Sequence, residues 1–184
     1  MEPDFDAVLD AARAGEEWAV AIVYRELHPR LARYLRARAP HVAEDLEGDV
    51  WLAIATRLHQ FEGDEIGLRA WAFAIARRRV VDHRRRTARR RTDVVPAAEL
   101  DGASELIDPE RIVLDGLAGD EAAAFVVRTL PADQAEIVLL RVVAGLDVDQ
   151  VAALVGRRPG TVRVMQHRGL KRLERVLTGM RVTR

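Results

Sequence analysis

The stretch Val148-Asp-Gln-Val-Ala152-Ala-Leu-Val-Gly156-Arg-Arg-Pro159-Gly-Thr-Val162-Arg-Val-Met165-Gln-His167 settles how the second half of this chain folds. Two helices that cross at a tight turn need a small residue where they touch. They also need a turn residue that tolerates positive φ, and an apolar anchor on the second helix. Ala152, Gly156 and Val162 supply these, spaced four and six apart. Val151, Val155 and Met165 complete the inward face. Asp147 stands as N-cap with Gln150 at the capping-box position, and Pro159 sits in the first turn of the second helix, where its missing N–H costs nothing. This is the pattern of a DNA-reading helix-turn-helix. Its outward face carries Arg158, Gly160, Thr161, Arg163, Val164 and His167 toward a major groove, and Arg168, Lys171 and Arg172 follow one turn later, placed for phosphates.

Working outward, Leu130-Pro131 opens a helix through Glu136, Val138, Leu139 and Leu140, which Gly145 closes in the left-handed conformation. Gly119 to Leu177 thus reads as one compact helical unit. Before it, residues 92 to 121 carry Asp93, Glu99, Asp101, Glu105, Asp108, Glu110, Asp115, Asp120 and Glu121 against a single base, Arg111. The first part of that stretch reads as an extended acidic linker, with a helix starting at Asp108-Pro109-Glu110.

Residues 77 to 91 have the opposite sign, with nine arginines in fifteen positions, although the whole chain has a formal net charge of zero. Such a density calls for a polyanion, since each neutralised phosphate releases a condensed counterion. The tract continues a helix that resumes at Leu68 after a turn from Gln60 to Gly67. Upstream, Val20, Val23, Tyr24, Leu27, Leu31, Tyr34 and Leu35 recur at helical spacing, with Pro29 expected to break or kink the run. Leu46, Val50, Ile54 and Leu58 mark another amphipathic helix, so four helical segments are expected before residue 92.

Composition agrees with an all-α chain of 184 residues: nearly half are apolar, aromatics are 5%, and alternating β-branched runs are nearly absent. With no cysteine, there is neither a disulfide framework nor a thiolate metal site. No apolar run reaches the ~18 residues of a membrane span, and the start Met1-Glu-Pro-Asp-Phe-Asp has no signal-peptide character, so a cytoplasmic protein is expected. His28, His41, His59, His83 and His167 lack metal-ligand spacing, and no catalytic triad, P-loop or dinucleotide fingerprint appears. Neither an enzyme nor a cofactor is expected. A stand-alone regulator using only the helix-turn-helix would leave the first 90 residues without a role.

Tyr24-Arg-Glu-Leu-His-Pro29-Arg-Leu, Ala43-Glu-Asp45-Leu46, Leu68-Arg-Ala-Trp71, Ile75-Ala-Arg77 with Asp82-His83, Leu130-Pro131 through Arg141, and Gly160-Thr-Val-Arg-Val-Met-Gln-His167-Arg occur in that order. Together they resemble bacterial extracytoplasmic-function (ECF) sigma factors of the sigma-70 family, over about four-fifths of the chain. The resemblance implies two small helical domains, sigma domain 2 over residues 4–91 and sigma domain 4 over 119–178, joined by an acidic linker at 92–118. It implies that Asp45, Leu46, Asp49 and Trp51 dock on the clamp helices of the largest RNA polymerase subunit, with the flap of the second-largest subunit as a further contact.

The same resemblance makes Gly63, Asp64 and Arg69 a loop pocket for an extruded −10 base. Trp71 is a stacking candidate, as is Phe73, although an apolar stripe at helical spacing is more often core. Arg77, Arg78, His83, Arg85 and Arg86 become the cationic −10 face. The helix-turn-helix residues become the −35 reader, where Arg157 and Arg158 replace an apolar residue and a serine cap and are expected to add DNA contacts. Partners so implied are core polymerase, promoter DNA and an anti-sigma factor, often membrane-bound. Charge alone adds one expectation, that the acidic linker folds back and masks the arginine tract.

Overall fold

The computed structural model describes residues 4–92 and 118–182, and these form eight α-helices with no strand among them. They are α1 (Phe5–Arg13), α2 (Glu17–Arg38), α3 (Ala43–Arg57), α4 (Glu65–Thr92), α5 (Ala118–Thr129), α6 (Ala132–Val142), α7 (Val148–Val155) and α8 (Pro159–Val182). Short 3-10 turns at Pro40–Val42 and Leu58–Gln60 bracket α3. The acidic linker, its expected helix start at Asp108 and its proposed fold-back lie outside the described residues.

Helix α2 is the spine, packing on α1, α3, α4 and α5. Its inward stripe of Val23, Leu27, Leu31, Tyr34 and Leu35 is buried, as helical periodicity requires. Val20 and Tyr24, grouped with that stripe by spacing, instead stand 40% and 42% exposed on an adjoining face. Pro29 does not break the helix, which runs unbroken through it. An interior proline costs about 3 kcal/mol; here it lies on the exposed face, and buried residues on either side of it anchor both halves of α2 in the core.

The turn before α4 is shorter than expected. It ends at Asp64, whose carboxylate Oδ1 accepts from the Gly67 backbone N–H at 2.7 Å, so α4 starts at Glu65 rather than Leu68. In the C-terminal half, Asp147 and Gln150 form the expected reciprocal capping box. Gly156 closes α7 at φ +67°, a conformation a β-carbon would strain. Helix α8 runs on to Val182, past the expected end at 177.

The two halves are not separate bodies. One apolar core runs from Leu9, Leu27, Leu35, Ile54 and Phe73 to Leu139, Leu140, Leu146, Val151 and Val162. Polar ties reinforce the seam. Asp120 at the start of α5 accepts from Arg33 at 3.2 Å and Arg36 at 2.9 Å, and the Gln150 amide donates to the Ile66 carbonyl at 3.3 Å.

Gly48 lies in the middle of α3 with no neighbouring heavy atom within 4 Å of where a β-carbon would stand. Gly48→Ala is therefore expected to stabilise the fold by about 0.5–1 kcal/mol through helix propensity, read as a raised midpoint in urea unfolding.

Candidate nucleic-acid and protein-docking faces

The helix-turn-helix is held by buried contacts and presents an open face. Val162 and Val151 are fully buried and Ala152 is 4% exposed, so the three-point spacing does the work expected of it. Arg141 of α6 ties the motif down, donating to Gln166 Oε1 on α8 at 3.2 Å and to the Leu146 carbonyl. Arg158, Gly160, Thr161, Arg163, Val164, His167, Arg168, Lys171 and Arg172 are all exposed. Arg157 is not part of this face: its guanidinium pairs with Asp133 of α6 at 2.8 Å. Of the two added arginines, Asp133 diverts Arg157, while Arg158 stands exposed beside the outer face.

Helix α4 divides its cations. Arg78 is 81% exposed, with Asp82 no nearer than 3.8 Å, and Arg85 and Arg86 are exposed. His83 is half-buried, with Thr87 Oγ1 at 3.4 Å. Arg77 turns toward the seam, where its Nε lies 3.4 Å from Glu136 of α6. Arg69 departs from its expected place in a base pocket: its side chain is only 15% exposed and bridges Glu65 at 2.6 Å and Glu26 at 3.4 Å, tying α4 to α2. Phe73 is fully buried and belongs to the core.

The loop before α4 is a compact assembly of loop and helix. Phe61 lies 5.2 Å from Trp71, centroid to centroid. The Arg13 guanidinium, from α1, sits 5.6 Å over the Phe61 ring and donates to the Gly63 carbonyl at 2.7 Å. Gly63 has φ +144°, and a β-carbon there would come within 2.9 Å of the Phe61 ring. Trp71 is half-buried against this loop, leaving part of its indole exposed. Arg13 and Phe61 were not singled out in the sequence. Nothing local announces Arg13, because its partner lies 50 residues away.

On α3, Asp45 and Asp49 point outward beside Leu52, which is 69% exposed. Trp51 packs on Tyr24 at 4.5 Å, and Tyr24 stacks on His28 at 4.7 Å. His28 Nδ1 lies 2.7 Å from Glu47 Oε1, and the Trp51 indole N–H has no acceptor. Leu46 is corrected from docking surface to core: at 4% exposure it faces inward with Val50, one turn along the helix. Tyr24, His28 and Leu52 take its place on this face. The i, i+4 spacing of residues 24 and 28 on one helix and 47 and 51 on the next was the available signal.

Asp64 separates two roles. As the cap of α4, its loss in Asp64→Ala is expected to cost about 1 kcal/mol, with Asp64→Asn retaining most of that. Thermal unfolding followed by helicity checks this without any DNA.

Two family models match this chain: sigma-70 region 2 over residues 23–90 and sigma-70 region 4 over residues 120–173. ECF RNA polymerase sigma factor SigD of Mycobacterium tuberculosis (strain H37Rv) is 36% identical, over 92% of this chain and 82% of its own length. ECF RNA polymerase sigma factor ShbA of Streptomyces griseus is 33% identical, over 91% of this chain and 92% of its own. Among solved structures, the sigma factor RpoE of Bartonella quintana, bound to the anti-sigma factor NepR, superposes with a TM-score of 0.63 at 22% identity, covering 86% of this chain and 96% of that one. CnrH in complex with the cytosolic domain of CnrY gives a TM-score of 0.63 at 18% identity, covering 96% and 99%. The last two likenesses concern the fold.

Proposed function

Since the chain belongs to the ECF family of RNA polymerase sigma factors, we propose that it binds core polymerase through α3, reads the −35 element with α8 and opens the −10 region with α4 and the loop before it. The observation that carries this reading is the outer face of α8 with the turn before it: nine neighbouring positions, five of them cationic, all exposed while the helix's own anchors are buried. A face of that charge has no structural task in the described fold, and phosphate and base edges are its natural ligands.

On α3, Asp45 and Asp49 offer carboxylates to a basic partner. Trp51, set by Tyr24 and His28, offers the edge of an apolar aromatic cluster. That mixture suits the clamp helices of the largest polymerase subunit, with the flap of the second-largest receiving the C-terminal half. At −10, Gly63 and Trp71 frame the base pocket, with Asp64 setting the start of α4, and Arg78, His83, Arg85 and Arg86 face the strands. Melting a promoter requires unstacking a base, a few kcal/mol per step, and a half-exposed tryptophan beside a backbone-lined loop is a suitable receiver. Domain 2 spans 4–91 and domain 4 spans 119–178 in this scheme. The protein positions polymerase and catalyses nothing itself. Like RpoE and CnrH, each solved with a protein bound, it is held in reserve by an anti-sigma factor. No helix among the described residues is long and apolar enough to cross a membrane.

Run-off transcription with bacterial core polymerase on genomic promoter fragments tests the scheme. Specific transcripts are expected from the wild-type chain, and none from a folded Asp45→Arg plus Trp51→Ala variant. Tight operator binding without any transcript would favour a stand-alone regulator instead.

Within α8 the roles separate by salt. Arg163→Ala is expected to cost about 1–3 kcal/mol and relax preference at one base pair, whereas Lys171→Gln weakens all sequences alike and lowers the salt slope by about 1. Anisotropy titrations on promoter and scrambled duplexes across a salt series distinguish the two.

A further inference from the structure

Glu136 is the one carboxylate buried in the described core, at 8% exposure. It projects from α6 amid Ala135, Ile137, Leu139 and Leu140, and everything that satisfies it comes from the other half of the molecule. The Tyr34 hydroxyl donates to Oε1 at 2.8 Å, Arg38 donates to Oε2, and Arg77 Nε approaches Oε1 at 3.4 Å. Burial, then the Glu136 carboxylate, push the Tyr34 phenol well above its usual range, so the hydroxyl stays a donor.

The charges at this seam do not balance. A cavity of about 280 Å³ beside Glu136 is lined by Arg38, Arg77, Arg84 and Arg157, with Asp133 as the only other carboxylate among the described residues. Arg157 takes Asp133 at 2.8 Å. That leaves three guanidiniums around one carboxylate. Arg84, which reaches solvent on one side, donates to the Arg38 carbonyl at 2.9 Å. Its cation is disfavoured by partial burial and then by Arg38 itself. The Arg38 side chain is 4% exposed; among the described residues its Nε has no acceptor, and Arg77 Nε has only the 3.4 Å approach to Glu136, which is not a formed hydrogen bond. A planar carboxylate leaves donors idle here; a tetrahedral phosphate, with more oxygens and more charge, would engage them.

We propose that Arg38, Arg77 and Arg84 form a binding site for a DNA backbone phosphate on the N-terminal half, and that Glu136 occupies it in the free protein as an internal stand-in for that phosphate. This rests on the reading of the chain as a DNA-binding sigma factor. The DNA backbone, rather than a free small oxyanion, is favoured by continuity. Arg77 and Arg84 are two turns apart on α4, and Arg78 and Arg85 continue the same cationic helix onto its exposed side. A strand tracked by Arg78, Arg85 and Arg86 passes next to the seam. The carboxylate then has two consequences. It neutralises part of the −10 face, and it couples DNA binding to separation of the two halves, because a phosphate can take this place only when α6 leaves it.

The test uses the full chain, with labels at Ala55→Cys and Thr178→Cys, both exposed positions in a protein with no native cysteine. Energy transfer between the labels reports separation, and anisotropy reports binding of a duplex lacking promoter sequence. Glu136→Gln keeps the shape and a hydrogen-bond partner for Tyr34 but removes the charge. It is expected to lower energy transfer and tighten DNA binding by about tenfold at low salt, with a steeper salt slope. Adding Arg84→Gln should cancel that gain and reduce the slope by about 1.

If Glu136→Gln fails to fold, the wild-type chain decides: saturating duplex must lower energy transfer, and 0.5 M salt must restore it. Unchanged DNA affinity in an opened Glu136→Gln chain overturns the proposal, as does a wild-type chain that stays closed on DNA. Pyrophosphate binding that keeps the halves together overturns it too, in favour of a small-oxyanion site. Run-off transcription by the wild-type chain reports separately on the sigma-factor reading, so transcripts with no opening on DNA would sink this site alone.

Discussion

Tyr34 joins the two halves of this molecule through the two ends of one side chain. Its ring meets Phe73 edge-on at 5.5 Å in the N-terminal core, and its hydroxyl donates to Glu136 in the C-terminal half. Helix α2, which carries it, also supplies Arg33, Arg36 and Arg38 to the seam. A buried carboxylate is tolerable only when paired and hydrogen-bonded, so the position of α6 depends on α2 reaching it. Removing one partner would leave a buried charge short of compensation. The arrangement is therefore specific in geometry, whatever its net contribution to stability.

The arginines show how one residue type serves unlike purposes. Arg13, Arg69, Arg141 and Arg157 each tie separate elements together, through a backbone carbonyl, a carboxylate or an amide oxygen. Arg78, Arg85, Arg86, Arg163, Arg168 and Arg172 stand exposed on two helices, and Arg158 on the turn before the second. The guanidinium's planar fork suits both tasks, as a bidentate strut inside and a phosphate clamp outside. A zero net charge in the whole chain thus conceals a strongly cationic outer face on α8 and another along α4.

The candidate site was legible unevenly. The −35 face could be read nearly complete because the helix-turn-helix is local: cap, glycine turn and anchor lie within twenty residues, and the 3.6-residue period then assigns inside and outside. Near the −10 loop local pattern reads less. Gly63 and Asp64 mark the turn before α4, but nothing in the local pattern shows that Glu65 and Glu26 hold Arg69 against α2. Leu46 and Val50, one turn apart, face the same way, so a helix that buries one buries both.

From the sequence alone follow the all-α class, the order of the helices, the capped turns at Asp147 and Gly156, and which side of the helix-turn-helix faces outward. All of these rest on local propensity and period, which act between residues a few positions apart. Only the tertiary structure decided that Pro29 stays within a continuous helix, that Arg13 grips a loop fifty residues away, and that Glu136 meets Tyr34, Arg38 and Arg77. Those outcomes depend on which helix faces meet, a balance of burial against pairing that no short window of residues contains.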